Sequence, residues 1–166
     1  MGFFKDLWKE IVEIFYPSDA VKTVGIFISN AEVYQILAKK GITCSIITFD
    51  STYAVVDEEW LEGTGYNYYS SLLDKLGVKG WRDDFDCDSF GLFFLSLAQV
   101  CHYNSRTNTE SPAIGIVCYT PKGSDGSHLI NMVITKDKGL RFFEPQTGRY
   151  KELEKCEFNS ISYVLF

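Results

Sequence analysis

The sequence predicts a single α+β domain spanning residues 1–166. Helical spacing of apolar residues dominates the first two-thirds of the chain, whereas β-branched runs separated by turns dominate the last third. The chain has 166 residues, of which 46% are hydrophobic and 16% aromatic, so it can bury a substantial core. No internal repeat, low-complexity segment or domain boundary interrupts it.

Composition excludes several classes of partner. The net charge is −6 and the chain lacks a lysine or arginine run, so we expect no nucleic-acid partner. No apolar run approaches the roughly 18 residues of a transmembrane helix, and the N-terminus does not resemble a secretory signal peptide. The five cysteines form an odd set without CxxC pairs, which argues against a disulfide framework or a zinc site. We therefore expect free thiols and a cytoplasmic location.

Residues 1–17 are predicted to form an N-terminal helical arm. Their apolar positions follow one face of a helix that ends at Pro17. The arm is interpreted either as a helix packed on the core or as a docking arm for a protein partner, and its acidic residues disfavour binding to an anionic membrane.

The remaining elements follow from periodicity and turn residues. We predict helices from Asn30 to Gly41, from Tyr66 to Leu76 and over residues 87–101. Strands are predicted at residues 23–28, 43–49, 53–56, 113–119, 128–135, 140–144 and 161–166, with turns at 63–65 and 136–139 and a polar loop at 104–112.

The helix over residues 87–101 is the centre of the predicted fold. Asp86 is a good N-cap, and the residues after it are apolar on most sides, as in a buried helix. Cys87 occupies the first helical position, where free backbone N–H groups and the helix dipole favour a thiolate. Neighbouring carboxylates oppose this effect and raise the thiol pKa unless a cation offsets them.

The strands at 128–135 and 140–144 are predicted to form a hairpin that brings His128 towards Glu144. Antiparallel strands return their open ends to each other, although simple counting places Glu144 nearer Asn131 than His128. Strand twist or a bulge would have to close this gap. The other histidine, His102, directly follows Cys101 on the helix and is poorly placed to act with it.

These residues suggest nucleophilic catalysis. Cys87 would attack as a thiolate, His128 would transfer the proton, and Glu144 would orient the imidazole. The backbone N–H of Cys87 and the indole N–H of Trp81 are candidate oxyanion donors. The structural alternatives are a core cysteine, an ordinary histidine at a strand end and a solvated carboxylate in a turn.

The acidic residues around Cys87 suggest a metal site. Asp83, Asp84, Asp86 and Asp88 offer the hard oxygen ligands that Ca²⁺ prefers, but their spacing is not that of an EF-hand. The alternative is helix capping combined with a solvated acidic loop. A bound divalent cation would also offset the negative charge at Cys87.

Four short segments carry a resemblance to a known family: Trp81, Asp86-Cys87-Asp88, residues 127–131 and residues 143–148. They resemble the papain-like cysteine peptidases and, more narrowly, the C-terminal domain of the Marasmius oreades agglutinin and related small phage and prophage proteins. The resemblance covers residues 80–150. No glutamine lies at 75–86, where papain-like enzymes place their oxyanion donor, and the agglutinin's sugar-binding trefoil domain is absent, so lectin activity does not carry over.

The resemblance implies a papain-like fold with a central helix packed against a small antiparallel sheet. It implies Cys87, His128 and Glu144 as a catalytic triad, Trp81 near the oxyanion site, and Asp86 and Asp88 as Ca²⁺ ligands. The predicted function is a thiol-dependent hydrolase of peptide or amide bonds, acting on a peptide or protein substrate. The alternatives are a catalytically silent module for binding or assembly, for instance phage-associated, and an acyl-transfer enzyme such as a transglutaminase.

Overall fold

A computed structural model describes residues 21–105 and 110–166. The predicted N-terminal arm at 1–17 and the tip of the polar loop lie outside these residues. The strands are β1 (Thr23–Ser29), β2 (Ser45–Ile47), β3 (Thr52–Val56), β4 (Ser111–Pro112), β5 (Ile114–Tyr119), β6 (His128–Ile134), β7 (Leu140–Glu144), β8 (Arg149–Lys151) and β9 (Tyr163–Leu165). The helices are α1 (Asn30–Lys39), α2 (Glu58–Trp60), α3 (Tyr66–Lys75), α4 (Cys87–Ser105) and α5 (Lys155–Asn159).

The described strands form two sheets. A three-stranded sheet has the order β1-β3-β4, and a six-stranded sheet has the order β2-β9-β5-β6-β7-β8. Pairing is antiparallel except between β2 and β9 and between β3 and β4, which are parallel. The expected small antiparallel sheet is therefore a larger, mixed one. Its parallel edge joins segments more than a hundred residues apart, which local sequence patterns do not specify.

The central helix α4 lies across β6 at close range. It begins at Cys87 as predicted and ends at Ser105, four residues later than predicted. A Cβ at Gly91 would lie 2.5 Å from the side chain of Leu129, so a glycine is needed where helix and strand approach. The buried Asn131 side chain donates hydrogen bonds to the carbonyls of Gly91 (3.1 Å) and Gly115 (3.3 Å), tying α4 to both β6 and β5.

The central strands β5 and β6 of the six-stranded sheet are buried on both faces. Ile130 and Met132 of β6 face one apolar cluster, which includes residues of α1 and β3, and Val133 faces a second cluster built with α3 and α4. This accounts for the near-continuous apolar sequence of β5 and β6.

Two local predictions required correction. Ser29, not Asn30, caps α1: its Oγ accepts from the Glu32 N–H, while the Glu32 carboxylate accepts from the Ser29 N–H. The turn predicted at 63–65 is part of a π-helical segment, Leu61–Gly65, that joins α2 to α3. A Cβ at Gly65 would lie 2.8 Å from Trp60, so this glycine serves close packing rather than a turn.

Among the described residues, we find no helix with the length and apolarity needed to cross a membrane.

Candidate functional site

Cys87 is half-buried at the first position of α4. Burial raises the pKa of its thiol, and the negative charges of Asp86 and Asp88 raise it further. The backbone of Leu129 acts in the opposite direction with a smaller effect. Burial is therefore the main cause of the raised pKa, and the thiol is protonated at neutral pH.

His128 and Glu144 form a close pair at the open end of the β6–β7 hairpin. His128 Nε2 lies 2.7 Å from Glu144 Oε2, and the side chains are 20% and 14% exposed. The backbone register pairs Asn131 with Phe143, as simple counting expects, so the two long side chains reach along the hairpin to meet. The ring of His128 also packs edge-on against Tyr119, with centroids 5.6 Å apart.

The turn after β7 fixes the other side of Glu144. Its Oε1 accepts from the Gln146 N–H at 3.2 Å, and its carbonyl accepts from the N–H of Gly148 at 2.9 Å. Gly148 has a φ of +70°, and a Cβ there would lie 2.3 Å from the ring of Tyr66. The Tyr66 hydroxyl donates to the Gln146 carbonyl at 3.4 Å. The carboxylate is thus held by a tight turn clamped against α3.

The structure brings together His128 and Glu144, but it does not join the thiol to the imidazole by a hydrogen bond. Within the described residues, the polar neighbours of the Cys87 thiol include the backbone groups of Leu129 and Asp88, the carboxylates beside it and the hydroxyl of Tyr163. His128 Nε2 is occupied by Glu144.

Trp81 lies at the surface just before α4. Its side chain is 58% exposed. The following turn is closed by paired backbone hydrogen bonds between Arg82 and Phe85, and Phe85 packs edge-on against Phe90 of α4 with centroids 4.9 Å apart. Trp81 and residues 82–84 line an open cavity of about 410 Å³. We call this region the Trp81 surface.

The two expected calcium ligands lie next to each other. A hydrogen bond with the Asp88 carboxyl raises the pKa of Asp86, which places the two carboxylates in contact. Asp84 is instead engaged by Arg82 in an exposed ion pair of 2.8 Å. In the described part of the chain, no group of three or more His, Cys, Asp or Glu side chains is arranged to hold a metal ion.

Sequence reasoning missed the residues that support the His128–Glu144 pair. Tyr66, Tyr119 and Gly148 contact the pair or its turn, yet they come from a helix, a strand and a turn that are far apart in sequence. Of these three residues, only Gly148 could be recognised from the local sequence, because it is a glycine in the turn that follows Glu144.

Comparison with known proteins identifies a family. Residues 26–165 match the model of the ricin-type beta-trefoil lectin C-terminal domain, and no curated protein matches the chain. Among solved structures, the Polyporus squamosus lectin bound to the human-type influenza-binding epitope Neu5Aca2-6Galb1-4GlcNAc aligns with a TM-score of 0.66 and 21% identity, covering 84% of this chain and 49% of that one. A structure described as a PSL1a-E64 complex aligns with a TM-score of 0.62 and 21% identity, covering 84% of this chain and 51% of that one.

These matches overturn two predictions. Neither the family model nor the two structures is described as a papain-like cysteine peptidase, so the papain-like fold is corrected to that of a lectin C-terminal domain. Over residues 21–105 and 110–166 it has nine strands in two sheets and a central helix. The resemblance rested on motifs at the head of one helix and on one hairpin, and these do not specify how the other strands pair.

The predicted thiol hydrolase with a Cys87–His128–Glu144 catalytic triad, acting on a peptide substrate, is corrected for the same reason. The raised pKa of the Cys87 thiol agrees with this correction. Calcium binding and a cytoplasmic or phage-associated location stay predictions.

The resemblance to the C-terminal domain of an agglutinin is confirmed at the level of the family, and the chain spans about half the length of the solved chains that it matches. Because the family model accounts for residues 26–165, this chain belongs to the family of ricin-type beta-trefoil lectin C-terminal domains.

Proposed function

We propose that this chain is a non-catalytic binding module whose ligand is a carbohydrate. The observation that carries the proposal is the match of residues 26–165 to a lectin C-terminal domain. This function corresponds to the catalytically silent binding alternative of the sequence analysis, and it replaces the expectation that lectin activity does not carry over.

The Trp81 surface has the chemistry that sugar recognition needs. A flat, exposed indole offers an apolar face to the C–H groups of a pyranose ring, and its few rotatable bonds limit the entropy lost on binding. Arg82, Asp83 and Asp84 line the same cavity and supply hydrogen-bonding groups for sugar hydroxyls. The closed turn between Arg82 and Phe85 holds these groups in a fixed arrangement.

The charge of this surface favours a neutral sugar. Within eight positions of Trp81 the sequence has five aspartates and three basic residues, a net charge of −2; the aspartates are Asp74, Asp83, Asp84, Asp86 and Asp88, and the basic residues are Lys75, Lys79 and Arg82. An anionic sugar would meet net repulsion there. The Polyporus squamosus lectin structure holds a Neu5Ac-containing epitope, and we expect the Trp81 surface to prefer a glycan without such an acidic residue.

Asp86 and Asp88 are proposed as ligands of Ca²⁺. Their carboxylates are in contact and provide hard oxygen donors, so a divalent cation fits their chemistry. The ion would supply positive charge at the head of α4, and the two aspartates would hold it together with backbone or water oxygens.

The test is a binding titration against neutral and sialylated oligosaccharides, using the full chain, Trp81→Ala and Tyr103→Ala. Tyr103 is 84% exposed and lies outside the Trp81 surface, so Tyr103→Ala is a matched control that also removes an exposed aromatic ring. We expect Trp81→Ala to weaken neutral-glycan binding by about 30-fold, because buried aromatic anchors contribute about 2 kcal/mol. Tyr103→Ala should bind normally. Absence of glycan binding by the full chain would overturn the proposal, and equal binding by all three proteins would overturn the site.

A further inference from the structure

A second cavity, remote in sequence from the Trp81 surface, has the opposite charge. It has a volume of about 650 Å³ and lies between α1 and the turn that joins β6 to β7. Pockets for small ligands commonly have volumes of 300–1,000 Å³. Lys39, Lys40 and Lys138 line it, and we call it the lysine cavity.

The two acidic residues of the lysine cavity are already engaged within the protein. Lys138 Nζ donates to Glu32 at 2.5 Å, and this bond together with the bonds from Ser29 lowers the pKa of Glu32 to about 2. Asp137 accepts hydrogen bonds from the Thr135 hydroxyl and from the Gly139 N–H, which lower its pKa. Both carboxylates are therefore ionised and their acceptor atoms are largely used.

Lys39 and Lys40 make no ion pair with any carboxylate in the described part of the chain. They lie at the C-terminal end of α1, where the helix dipole favours cations. With Glu32 and Asp137 counted against the three lysines, the lining of this ligand-sized cavity has a net charge of +1, in a protein of net charge −6.

The turn on the other side of the cavity places Lys138 there at a conformational cost, with its ammonium group paired to Glu32. Lys138 has a φ of 57°, and it is the one non-glycine residue with a positive φ among those described. This left-handed region favours glycine or asparagine, and strained residues of this kind concentrate at functional sites.

We infer that the lysine cavity binds a tetrahedral oxyanion, a sulfate or phosphate ester carried on a sugar-sized ligand. Lysine ammonium groups bind such oxyanions as point charges. Gln35 and Ile36 line the same cavity and offer an amide and an apolar surface to the rest of the ligand. This inference is independent of the Trp81 surface, where acidic residues disfavour the same group.

The experiment measures binding of a sulfated disaccharide, a phosphorylated monosaccharide, inorganic sulfate and inorganic phosphate to the full chain. We expect either sugar ester to bind more tightly than its inorganic anion, with an affinity that falls as salt is raised. Lys39→Gln with Lys40→Gln should weaken ester binding about tenfold, since each exposed charge contact contributes less than 1 kcal/mol.

The matched control is Lys75→Gln with Lys79→Gln. It changes the net charge equally, and Lys75 also lies in the last turn of a helix, yet neither residue lines the lysine cavity. This control should bind like the unmodified chain. An equal loss in both double variants, equal affinity for inorganic anions and sugar esters, or no binding would overturn the inference.

Lys138→Gly separates binding from folding. Glycine relieves the positive φ, so the melting temperature should not fall, while ester binding should fall because an ammonium group is lost and Glu32 is left unpaired. Unchanged ester binding in this variant would also contradict the inference.

Discussion

The His128–Glu144 pair and the Trp81 surface lie at the two ends of the segment that sequence motifs singled out, and they are built in opposite ways. The pair is mostly enclosed, with side chains 20% and 14% exposed, whereas Trp81 is 58% exposed. Tyr119 and the turn at Gly148 hold the pair, while the Trp81 surface is held mainly by local contacts within residues 82–85.

This difference in exposure indicates different roles: the His128–Glu144 pair stabilises the fold, and the Trp81 surface is accessible to a ligand. Residues that are enclosed and hydrogen-bonded on several sides hold the hairpin to the helices, and residues on a closed exposed turn are available to a ligand. A motif that places a cysteine, a histidine and a glutamate in order does not distinguish these two roles. The raised pKa of the Cys87 thiol does so, whereas the hydrogen bond between His128 and Glu144 is compatible with either role.

The largest effect that we predict concerns the turn that supports Glu144. Gly148→Ala should destabilise the protein by about 3 kcal/mol, because a Cβ would meet the Tyr66 ring and alanine is strained at a φ of +70°. Gly123→Ala is the matched control: its φ is +75°, but no atom lies within 4 Å of the added Cβ. It should cost about 1 kcal/mol. Urea unfolding measures both, and equal costs would show that the turn is not clamped.

A smaller effect is expected from the hydrogen bond between His128 and Glu144. Glu144→Gln should cost about 1.5 kcal/mol, because a charge-assisted hydrogen bond in a half-buried site is lost. Asp84→Asn removes the exposed pair with Arg82 and should change stability by less than about 0.5 kcal/mol. Thermal unfolding measures the stability of both variants. A lower melting temperature for Asp84→Asn than for Glu144→Gln would contradict the view that the enclosed pair contributes more to stability than the exposed one.

Calcium should bind at the N-terminal end of α4 and stabilise the folded protein. Millimolar Ca²⁺ should raise the melting temperature more than Mg²⁺ does, because binding to the folded state alone stabilises it. The rise should vanish in Asp86→Ala with Asp88→Ala, and it should persist in Asp83→Ala with Asp84→Ala, which removes the same charge from the neighbouring turn. A shift that survives the first double variant would place the ion elsewhere.

The reactivity of Cys87 should change with pH, and because the fold raises the pKa of this thiol, the protein should also lose some stability as the pH rises above the ordinary thiol range. The folded environment raises the pKa of the thiol, so the reactive thiolate is scarce at neutral pH and increases only as the pH rises above the ordinary thiol range. Alkylation at pH 7 should therefore be slower at Cys87 than at the exposed Cys156. His128→Ala should leave this order unchanged. Selective labelling of Cys87 that is lost in His128→Ala would point to an activated thiol.

Local sequence signals predicted most of the described elements, but they missed α2, α5, β4 and β8, and they predicted the assembly poorly. The start of α4 at Cys87 and the β6–β7 hairpin followed from an N-cap, an apolar run and a turn, and both are observed. The parallel pairing of β2 with β9 joins residues 45–47 to 163–165, so no local pattern encodes it. For the same reason, the contacts of Tyr66 with the turn at Gly148 and the lysine cavity were not foreseen.

The most direct test of the account compares Trp81→Ala with Cys87→Ala in the same neutral-glycan titration. Loss of glycan binding in Trp81→Ala, together with unchanged binding in Cys87→Ala, is the predicted result, because recognition belongs to the exposed surface and not to the thiol. Normal binding by Trp81→Ala and loss of binding in Cys87→Ala would contradict the account.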